Sequence, residues 1–272
     1  MILVLRSATK RDAMRSSKQL GEFLRSRRTK LLPGDVELPT LRRRRAPGLR
    51  REEVAQLAGI SVEWYIKLEQ GRAVSPSAST ISALGQALRL GKAELSHLRA
   101  LAETPKRKAF VIEVVPETIS HLVASFQQPA YVLGQRWDIL AWNDAAADLF
   151  TDFALLPCEE RNILLYMLGD PAARRLFGET WGDEARRMVS LFRVAHDLWA
   201  GDAAFGTLVE QLRTRCPEFS EWWTSHEVGA PVSGVKTMTH PVQGDLKFKF
   251  ATFQANDNPA LKLAIYAVAG DA

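Results

Sequence analysis

The sequence contains little cysteine and no long apolar run, and both absences exclude classes of protein. Its two cysteines, Cys158 and Cys216, stand in unrelated contexts, so we expect neither a disulfide framework nor a cysteine-based metal site. No apolar run approaches the roughly 20 residues that a membrane-spanning helix needs. The apolar start, Met1 to Leu5, is too short for a secretory signal and is followed by basic residues. These features predict a cytoplasmic protein that does not enter a membrane.

The chain also lacks the residue patterns of common catalytic and metal sites. No two of its five histidines stand four residues apart, and no Gly-x-Ser-x-Gly sequence occurs. Cys158 precedes two glutamates, but a single free cysteine more often packs as an inert side chain. We therefore predict a protein that is not an enzyme and that needs no metal or cofactor.

Charge is distributed unevenly along the chain. Residues 1–108 contain 23 Lys and Arg against 10 Asp and Glu, a net charge of +13, whereas the remainder contains 13 against 21, a net charge of −8. A basic half joined to an acidic half either keeps two domains soluble or marks one domain that meets a polyanion. The motif described next favours the second explanation.

Residues 50–72 have the pattern of two short helices joined by a tight turn. The first helix places apolar residues on one side, and Gly59 supplies the left-handed backbone that ends it. Ser61 caps the second helix, in which Tyr65 and Leu68 face inward at i, i+3 spacing. The opposite side of the second helix carries varied side chains. Two helices fixed in this way fit the major groove of DNA.

Two sequences in this segment, EEVAQLAGIS and KLEQGR, resemble the phage-repressor-like (Xre) helix-turn-helix family. The resemblance covers about Lys18 to Ala102 and implies a five-helix, lambda-repressor-like DNA-binding domain at residues 17–104. It implies that Val62, Glu63, Ile66 and Lys67 lie where the family touches base edges. By its chemistry Glu63 can accept from a cytosine amino group, Lys67 can donate to guanine, and Val62 can contact a thymine methyl. The residues of this segment expected to contact DNA are Arg51, Ser61, Val62, Glu63, Ile66, Lys67 and Arg72.

The same resemblance gives roles to two arginines and one glutamate. Arg51 stands where the family uses a glutamine to bond a DNA phosphate, and a guanidinium can make that contact by charge. Glu69 stands where the family pairs a helix end with an arginine of the first helix, here Arg28. That pair either fixes the first helix against the second or is an exposed pair worth under about 1 kcal/mol.

The segments around this domain have the composition of loops. Residues 1–16 show no periodicity, and we expect a disordered or extended arm. The arginine run at 42–45 lies in a loop rich in proline and glycine. This run is either a solvated loop or a phosphate-neutralising one, and on the second interpretation Arg43, Arg44 and Arg45 contact DNA. Residues 105–114 are the expected linker to a second domain.

Residues 115–270 have the pattern of an α+β domain with five strands. A hairpin is expected over 129–143, with its turn at Gly134-Gln135-Arg136. Leu246, Phe248 and Phe250 alternate with lysines, which indicates a sheet with one buried face. The fold class predicted for the whole chain is mainly α with α+β. The later predicted elements are helices at 159–169, 171–178, 182–200, 204–214 and 217–226 and strands at 233–240, 244–254 and 261–268.

This half resembles the ligand-binding domain of MmyB-like transcription regulators over about Val115 to Ala267. The resemblance lies in the sequences YVLGQRWDILAWNDAAADLF, RNILLYML, DPAARRLF, CPEFSEWW and KTMTHPVQGDLKFKFATF. It implies a PAS-like domain that holds a small, largely apolar, fatty-acid-like ligand. Aromatic residues at this density also build closed cores. The residues expected to line the site are Tyr131, Trp142, Asn143, Phe150, Phe192, Arg193, His240, Phe248 and Phe250.

Together these features predict a DNA-binding transcriptional regulator that a small ligand modulates. We expect a homodimer on a near-palindromic DNA site, because one reading helix covers too few base pairs for useful specificity. Two other functions stay open. The second half either dimerises or docks a protein partner without binding a ligand, or it is an enzyme fused to a DNA-binding domain.

Overall fold

The computed structural model of the chain describes residues 17–38, 48–72, 74–103 and 109–269. Packing divides the chain into two compact units. The first unit consists of the chain up to Ala109 together with two later segments, His196–Asp202 and Ser225–Val228, and the second unit is the remainder. Some of the sequence predictions lie outside the described residues, namely the arm at 1–16, the contacts of Arg43, Arg44 and Arg45, and part of the linker at 105–114.

The first unit is built from helices around one apolar core. Polar caps start two of them, since the hydroxyl oxygens of Ser61 and Ser77 accept hydrogen bonds from backbone N–H groups at 3.2 and 3.1 Å. Leu24, Leu84 and Leu98 are fully buried, and each contributes about 2 kcal/mol by leaving water. The helices are α1 (17–30), α2 (Arg51–Leu57), α3 (Val62–Glu69), α4 (Ala78–Ala87) and α5 (Lys92–Ala102).

Helix α1 approaches the end of α3 at close backbone range. A Cβ atom added at Gly21 would lie 2.5 Å from the carbonyl oxygen of Glu69. Side-chain carbon and backbone oxygen do not come this close in folded proteins, so the approach needs glycine at this position. The residue that ends α3 is therefore held directly against α1.

The second unit is centred on a five-stranded antiparallel sheet. The strand order is β2-β1-β5-β4-β3. The strands are β1 (Ala130–Leu133), β2 (Ile139–Trp142), β3 (Gly234–His240), β4 (Gly244–Gln254) and β5 (Lys262–Val268). The helices are α6 (Glu117–Ser125), α7 (Asp144–Leu149), α8 (Ile163–Gly169), α9 (Pro171–Phe177), α10 (Trp181–Leu198), α11 (Ala203–Arg215) and α12 (Phe219–Thr224).

The two faces of this sheet have different neighbours, because successive side chains of a strand point to opposite faces. Val132 of β1 belongs to a small apolar core with Val123 of α6. The preceding residue, Tyr131, contacts Phe150 instead, with ring centroids 5.8 Å apart. The face that carries Tyr131 is the one with the aromatic cluster described below.

The predicted fold class is confirmed: a helical amino-terminal region is followed by an α+β part with a five-stranded antiparallel sheet. Strand β4 has the bounds predicted for it, and β3 begins one residue later than the predicted 233. Helix α10 ends at Leu198 rather than at 200. The inclusion of His196–Asp202 and Ser225–Val228 in the first unit was not predicted, because packing between distant segments fixes it. Among the described helices, none has both the length and the hydropathy to cross a bilayer.

Candidate functional site

The turn between α2 and α3 is held by backbone geometry and two hydrogen bonds. Gly59 has φ of +63°, a conformation that residues with a side chain rarely adopt. The Ile60 N–H donates to the Ala55 carbonyl at 3.0 Å, and the Gly59 N–H donates to Gln56 at 3.2 Å. Ser61 then starts α3 as its cap. The local sequence therefore fixes how α3 follows α2.

Helix α3 has one buried side and one exposed side. Tyr65 and Leu68 lie in the core of the first unit. Glu63 and Lys67, four residues apart, are both exposed, and residues at this spacing lie on the same face of a helix. The residues of α3 and its two ends that were predicted to contact DNA are all exposed or half-buried: Ser61, Val62, Glu63, Ile66, Lys67 and Arg72.

The end of α3 is fixed by a buried cluster of three charges. The Glu69 carboxylate accepts hydrogen bonds from Arg28 Nε and Nη2 at 2.7 and 2.8 Å and from Arg51 Nε and Nη2 at 3.0 and 2.8 Å. Arg28 Nη1 also donates to the Leu49 carbonyl at 2.8 Å. The Glu69 side chain is only 1% exposed. The predicted pair of Glu69 with Arg28 is therefore confirmed, and it is buried rather than exposed.

This cluster keeps Glu69 ionised. Burial raises the pKa of the Glu69 carboxyl. The hydrogen bonds and charges of Arg28 and Arg51 lower that pKa by a larger amount, so the net shift is downward. The same bonds give Arg51 a structural partner that the sequence did not predict. Its side chain remains 40% exposed, so the phosphate contact expected of Arg51 stays a prediction.

In the second unit, Tyr266 of β5 lies at the centre of an aromatic cluster. Its ring centroid lies 4.8 Å from that of Phe250, 5.3 Å from Phe150 and 6.1 Å from Phe248. Its hydroxyl oxygen lies 3.2 Å from that of Tyr131 in a buried hydrogen bond. The two hydroxyls carry two protons, and the bond between them uses one. One phenol proton of this pair is therefore not used in the bond between the two hydroxyls.

Three ionised side chains border this cluster. Glu184 of α10 accepts hydrogen bonds from Lys236 of β3 and from Arg187, the latter at 2.6 and 3.0 Å. Lys236 Nζ lies 4.3 Å from the ring centroid of Phe250 and 5.6 Å from that of Tyr266, within the range of cation–π attraction. Because two cations share one carboxylate, this group carries a net positive charge.

The pKa shifts in this region follow from burial and from the ion pairs. Burial raises the pKa of Tyr131 to about 12, so its phenol keeps its proton at neutral pH. Burial also lowers the pKa of Lys236, although the Glu184 carboxylate opposes the shift. For Glu184, burial raises the pKa, but Arg187 and Lys236 lower it by more. Tyr131 therefore stays protonated and Glu184 ionised at neutral pH.

Four of the nine predicted ligand residues meet in this cluster: Tyr131, Phe150, Phe248 and Phe250. The structure does not bring the other five to it. Three have separate partners: Phe192 stacks on Phe205, Arg193 lies over the ring of Trp223, and Trp142 meets Phe153 edge-on. These side chains belong to other parts of the core of the second unit.

Asn143 connects three segments of backbone. Its Oδ1 accepts from the N–H groups of Ala130 and Ala146 at 3.1 and 2.9 Å. Its Nδ2 donates to the carbonyls of Phe126 and Gln128 at 2.9 and 2.8 Å. Both donor hydrogens and both acceptor sites of this amide are thus used within the protein. Asn143 therefore caps α7 and positions β1, and the ligand contact expected of it stays a prediction.

His240 closes the turn between β3 and β4. Its Nδ1 accepts from the backbone N–H groups of Val242 and Gln243 at 3.2 and 3.1 Å. Its Nε2 lies 3.1 Å from the Asp148 carbonyl oxygen and can only donate to it. His240 thus has a structural role in this turn, and the ligand contact expected of it stays a prediction.

Two members of the cluster were missed from the sequence: Tyr266, and Tyr166, whose ring centroid lies 6.0 Å from that of Phe150. The bordering residues Glu184, Arg187 and Lys236 were missed as well. A partial signal existed, because Glu184 and Arg187 stand one helical turn apart and Lys236 lies on a strand whose side chains alternate. Which face of that strand meets α10 is decided by tertiary packing. Among the described residues, no group of three or more His, Cys, Asp or Glu is arranged to hold a metal ion.

Comparison with known families gives two matches. Residues 19–98 match the model of a helix-turn-helix domain. Residues 115–272 match the model of the MmyB-like transcription regulator ligand binding domain, and this second match covers more than half of the chain. The comparison with curated proteins finds no match.

Proposed function

The chain belongs to the family of MmyB-like transcription regulators, and we propose that it binds double-stranded DNA through α3 and responds to a small apolar ligand. It is a transcription regulator with a helix-turn-helix domain. The observation that carries the DNA-binding proposal is the exposed side of α3, whose end is held by the buried Arg28–Glu69 pair.

The exposed side of α3 supports direct contact with base edges. Lys67 can donate to guanine N7 or O6, and Glu63 can accept from the cytosine amino group. Arg72, exposed just beyond α3, suits a phosphate. Arg51 shares Glu69 with Arg28, so it would meet a phosphate only with the exposed part of its guanidinium. The proposal therefore assigns base contacts to α3 and backbone contacts to the arginines beside it.

We further propose that the protein acts as a homodimer on a near-palindromic site. One helix inserted in the major groove contacts only a few base pairs. A two-fold arrangement doubles the contacts and places the half-sites about 34 Å apart, one turn of duplex. The basic amino-terminal part of the sequence suits the polyanion, since association with DNA releases counterions.

The aromatic cluster around Tyr266 supports a ligand with an apolar body and an anionic head. The rings of Phe150, Phe248 and Phe250 offer apolar contact. The net positive charge on Lys236, Glu184 and Arg187 favours an anion, to which the phenol pair can donate a hydrogen bond. A fatty acid has this chemistry, so we propose a fatty-acid-like ligand.

Competition binding with a duplex selected from a random pool tests the DNA proposal. Lys67→Ala should alter the preferred sequence, because it removes a base-edge donor. Arg72→Ala should weaken all duplexes alike and reduce the salt slope by about 0.9. If Lys67→Ala weakens every duplex equally, α3 does not read bases in the way proposed.

Native mass spectrometry of freshly purified protein tests the subunit number and any co-purified ligand. Dodecanoate, dodecanol and dodecylamine then test the class of ligand. Binding of dodecanoate alone supports an anionic head, and equal binding of all three supports apolar recognition without a head group. If none binds and none alters DNA affinity, the second unit dimerises or docks a protein partner instead.

A further inference from the structure

Lys262 of β5 is a half-buried cation without a counter-ion. Its side chain forms no ion pair and no hydrogen bond within the part of the chain that the structure describes. Burial lowers the pKa of its ammonium group, and no acidic side chain of the described residues opposes that shift. A charge withdrawn from water is costly unless an opposite charge compensates it. A bound anion would supply that compensation.

The register of the sheet places Lys262 on the face that carries the aromatic cluster. Ala264 lies opposite Tyr131 of β1, and Lys262 lies opposite Leu133, two positions further along β1. Tyr266, two positions beyond Ala264, contacts Tyr131 from that face. Because residues two apart along a strand share a face, Lys262, Ala264 and Tyr266 form one row. All of these residues belong to the second unit.

The two ends of this row differ in their exposure. Across β4, the neighbour of Lys262 is Gln254 and the neighbour of Ala264 is Thr252, and both of these β4 residues are exposed. Tyr266, at the other end, is only 2% exposed. A charged ligand group at Lys262 would therefore keep contact with water, whereas an apolar chain that follows the row would meet buried side chains.

The Tyr266 end of the row carries the other cationic group of this face. Lys236 Nζ lies 5.6 Å from the ring centroid of Tyr266, and Lys236 shares the carboxylate of Glu184 with Arg187. Lys262 lies four residues from Tyr266 along β5, about 13 Å at ~3.3 Å per residue. The face therefore offers positive charge at two places, one at each end of the row.

We propose that Lys262 binds one end of a ligand with two anionic ends, an aliphatic dicarboxylate, whose other end lies at the group of Lys236, Glu184 and Arg187. This inference rests on the proposed function and specifies the class of ligand for the same site. A carboxylate bonds an ammonium group through a charge-assisted hydrogen bond, which is stronger than a bond between neutral groups. An extended chain of about twelve carbons spans a distance comparable to the row, since each carbon–carbon bond is ~1.5 Å long.

A dicarboxylate suits this face better than a fatty acid does. A fatty acid has a single anionic end, so it can compensate the charge at only one end of the row. A dicarboxylate compensates both, and the bond to Lys262 adds to the bond made at the buried end. The expected preference is therefore for dodecanedioate over dodecanoate.

Isothermal titration of the full chain with dodecanedioate, dodecanoate and dodecanol measures this preference. We expect the dissociation constant of dodecanedioate to be at least ~10-fold lower than that of dodecanoate. Lys262→Met keeps an unbranched side chain and removes its charge, so it should reduce the difference to under ~2-fold. Dodecanedioate that binds no tighter than dodecanoate, or a preference that Lys262→Met leaves unchanged, would overturn the proposal.

Two further variants separate the charge at this position from other causes. Lys262→Arg keeps the positive charge and should keep most of the preference. Lys247→Met removes an exposed lysine of β4 that points away from the cluster, because its neighbour Phe248 points into it. This variant should leave the preference unchanged. If Lys247→Met abolishes the preference as well, the preference comes from the net charge of the surface, and the assignment to Lys262 is wrong.

Urea unfolding shows whether Lys262→Met is folded, and it also tests the lack of a counter-ion. Removing a half-buried charge that has no ion pair should leave the unfolding midpoint unchanged or raise it. Lys236→Met removes a partner of Glu184 and should lower the midpoint. A Lys262→Met variant as destabilised as Lys236→Met would mean that Lys262 has a compensating partner within the protein, contrary to the proposal.

The effect of each acid on DNA affinity separates this inference from the proposed function. If dodecanoate binds and changes DNA affinity while dodecanedioate binds no tighter, the proposed function stands and the inference is wrong. If dodecanedioate binds with the expected preference and neither acid changes DNA affinity, the inference stands and the ligand response in the proposed function fails. If neither acid binds, both fail.

Discussion

Arg28 and Glu69 join α1 to the last residue of α3 by two hydrogen bonds, Nε to Oε2 at 2.7 Å and Nη2 to Oε1 at 2.8 Å. The carboxylate is buried, and a third residue, Arg51, bonds it from the start of α2. Helices α2 and α3 of the helix-turn-helix and the preceding helix α1 therefore meet at the side chain of Glu69. Because α3 is the proposed reading helix, this charge cluster controls where its exposed side is presented.

Glu69→Gln should lower the free energy of unfolding of the first unit by about 3 kcal/mol, since it leaves a largely buried guanidinium without its counter-charge. Urea denaturation measures the loss, and hydrogen exchange in α1 and α3 localises it. Glu210→Gln removes the carboxylate of an exposed pair and should cost under about 1 kcal/mol. Equal losses in the two variants would mean that the Glu69 cluster contributes no more than a surface pair.

The same cluster predicts a loss of stability in acid. The pKa of Glu69 is lower in the folded protein than its ordinary value of 4.5, so ionised Glu69 stabilises the fold. That contribution is complete above about pH 5 and is lost as the pH falls through the folded pKa. Unfolding measured from pH 6 to pH 3 should therefore show a shallower fall in stability for Glu69→Gln than for the native chain. An unchanged slope would show that other carboxylates dominate the acid response.

The sequence predicted the helix-turn-helix well because its signals are local. Gly59 ends one helix, Ser61 caps the next, and both effects act within four residues. The strands were predictable for the same reason, since Phe248 and Phe250 alternate with lysines along β4. Local patterns of this kind depend on backbone preference and on one buried face, and neither requires knowledge of distant residues.

The charged residues beside the aromatic cluster were not predicted, because they come from distant segments. Lys236 and Glu184 are 52 positions apart, and neither is distinguished in sequence from a solvated charge. Asn143 and His240 were assigned to the ligand as uncommon polar residues among aromatic ones. Their hydrogen bonds go to backbone groups, however, and which backbone groups lie near them is known only from the tertiary structure.

Gly59→Ala should destabilise the first unit by about 1 kcal/mol, because at φ of +63° the Cβ atom of an alanine lies too close to the following backbone carbonyl oxygen. Gly206 of α11 provides a matched comparison. It has no positive φ, and an added Cβ meets nothing within 4 Å, so Gly206→Ala should stabilise the protein by about 0.5 kcal/mol. Thermal unfolding of the two variants should thus give shifts of opposite sign. A neutral Gly59→Ala would mean that the turn between α2 and α3 relaxes without cost.

The two cysteines should differ sharply in reactivity. Cys158 is exposed, whereas Cys216 is buried and its Sγ lies 3.3 Å from a Glu218 carboxylate oxygen. Burial, with the Glu218 bond as the second cause, raises the pKa of Cys216 to about 11. At pH 8 only about 0.1% of that thiol is ionised, and the thiolate is the reactive form.

Titration of the native protein with Ellman's reagent at pH 8 should therefore modify one thiol rapidly, and urea should release the second. Cys158→Ser should abolish the rapid phase and leave the urea-dependent one. Two rapid thiols in the native chain would contradict the burial of Cys216, which follows α11 and precedes α12 in the sequence.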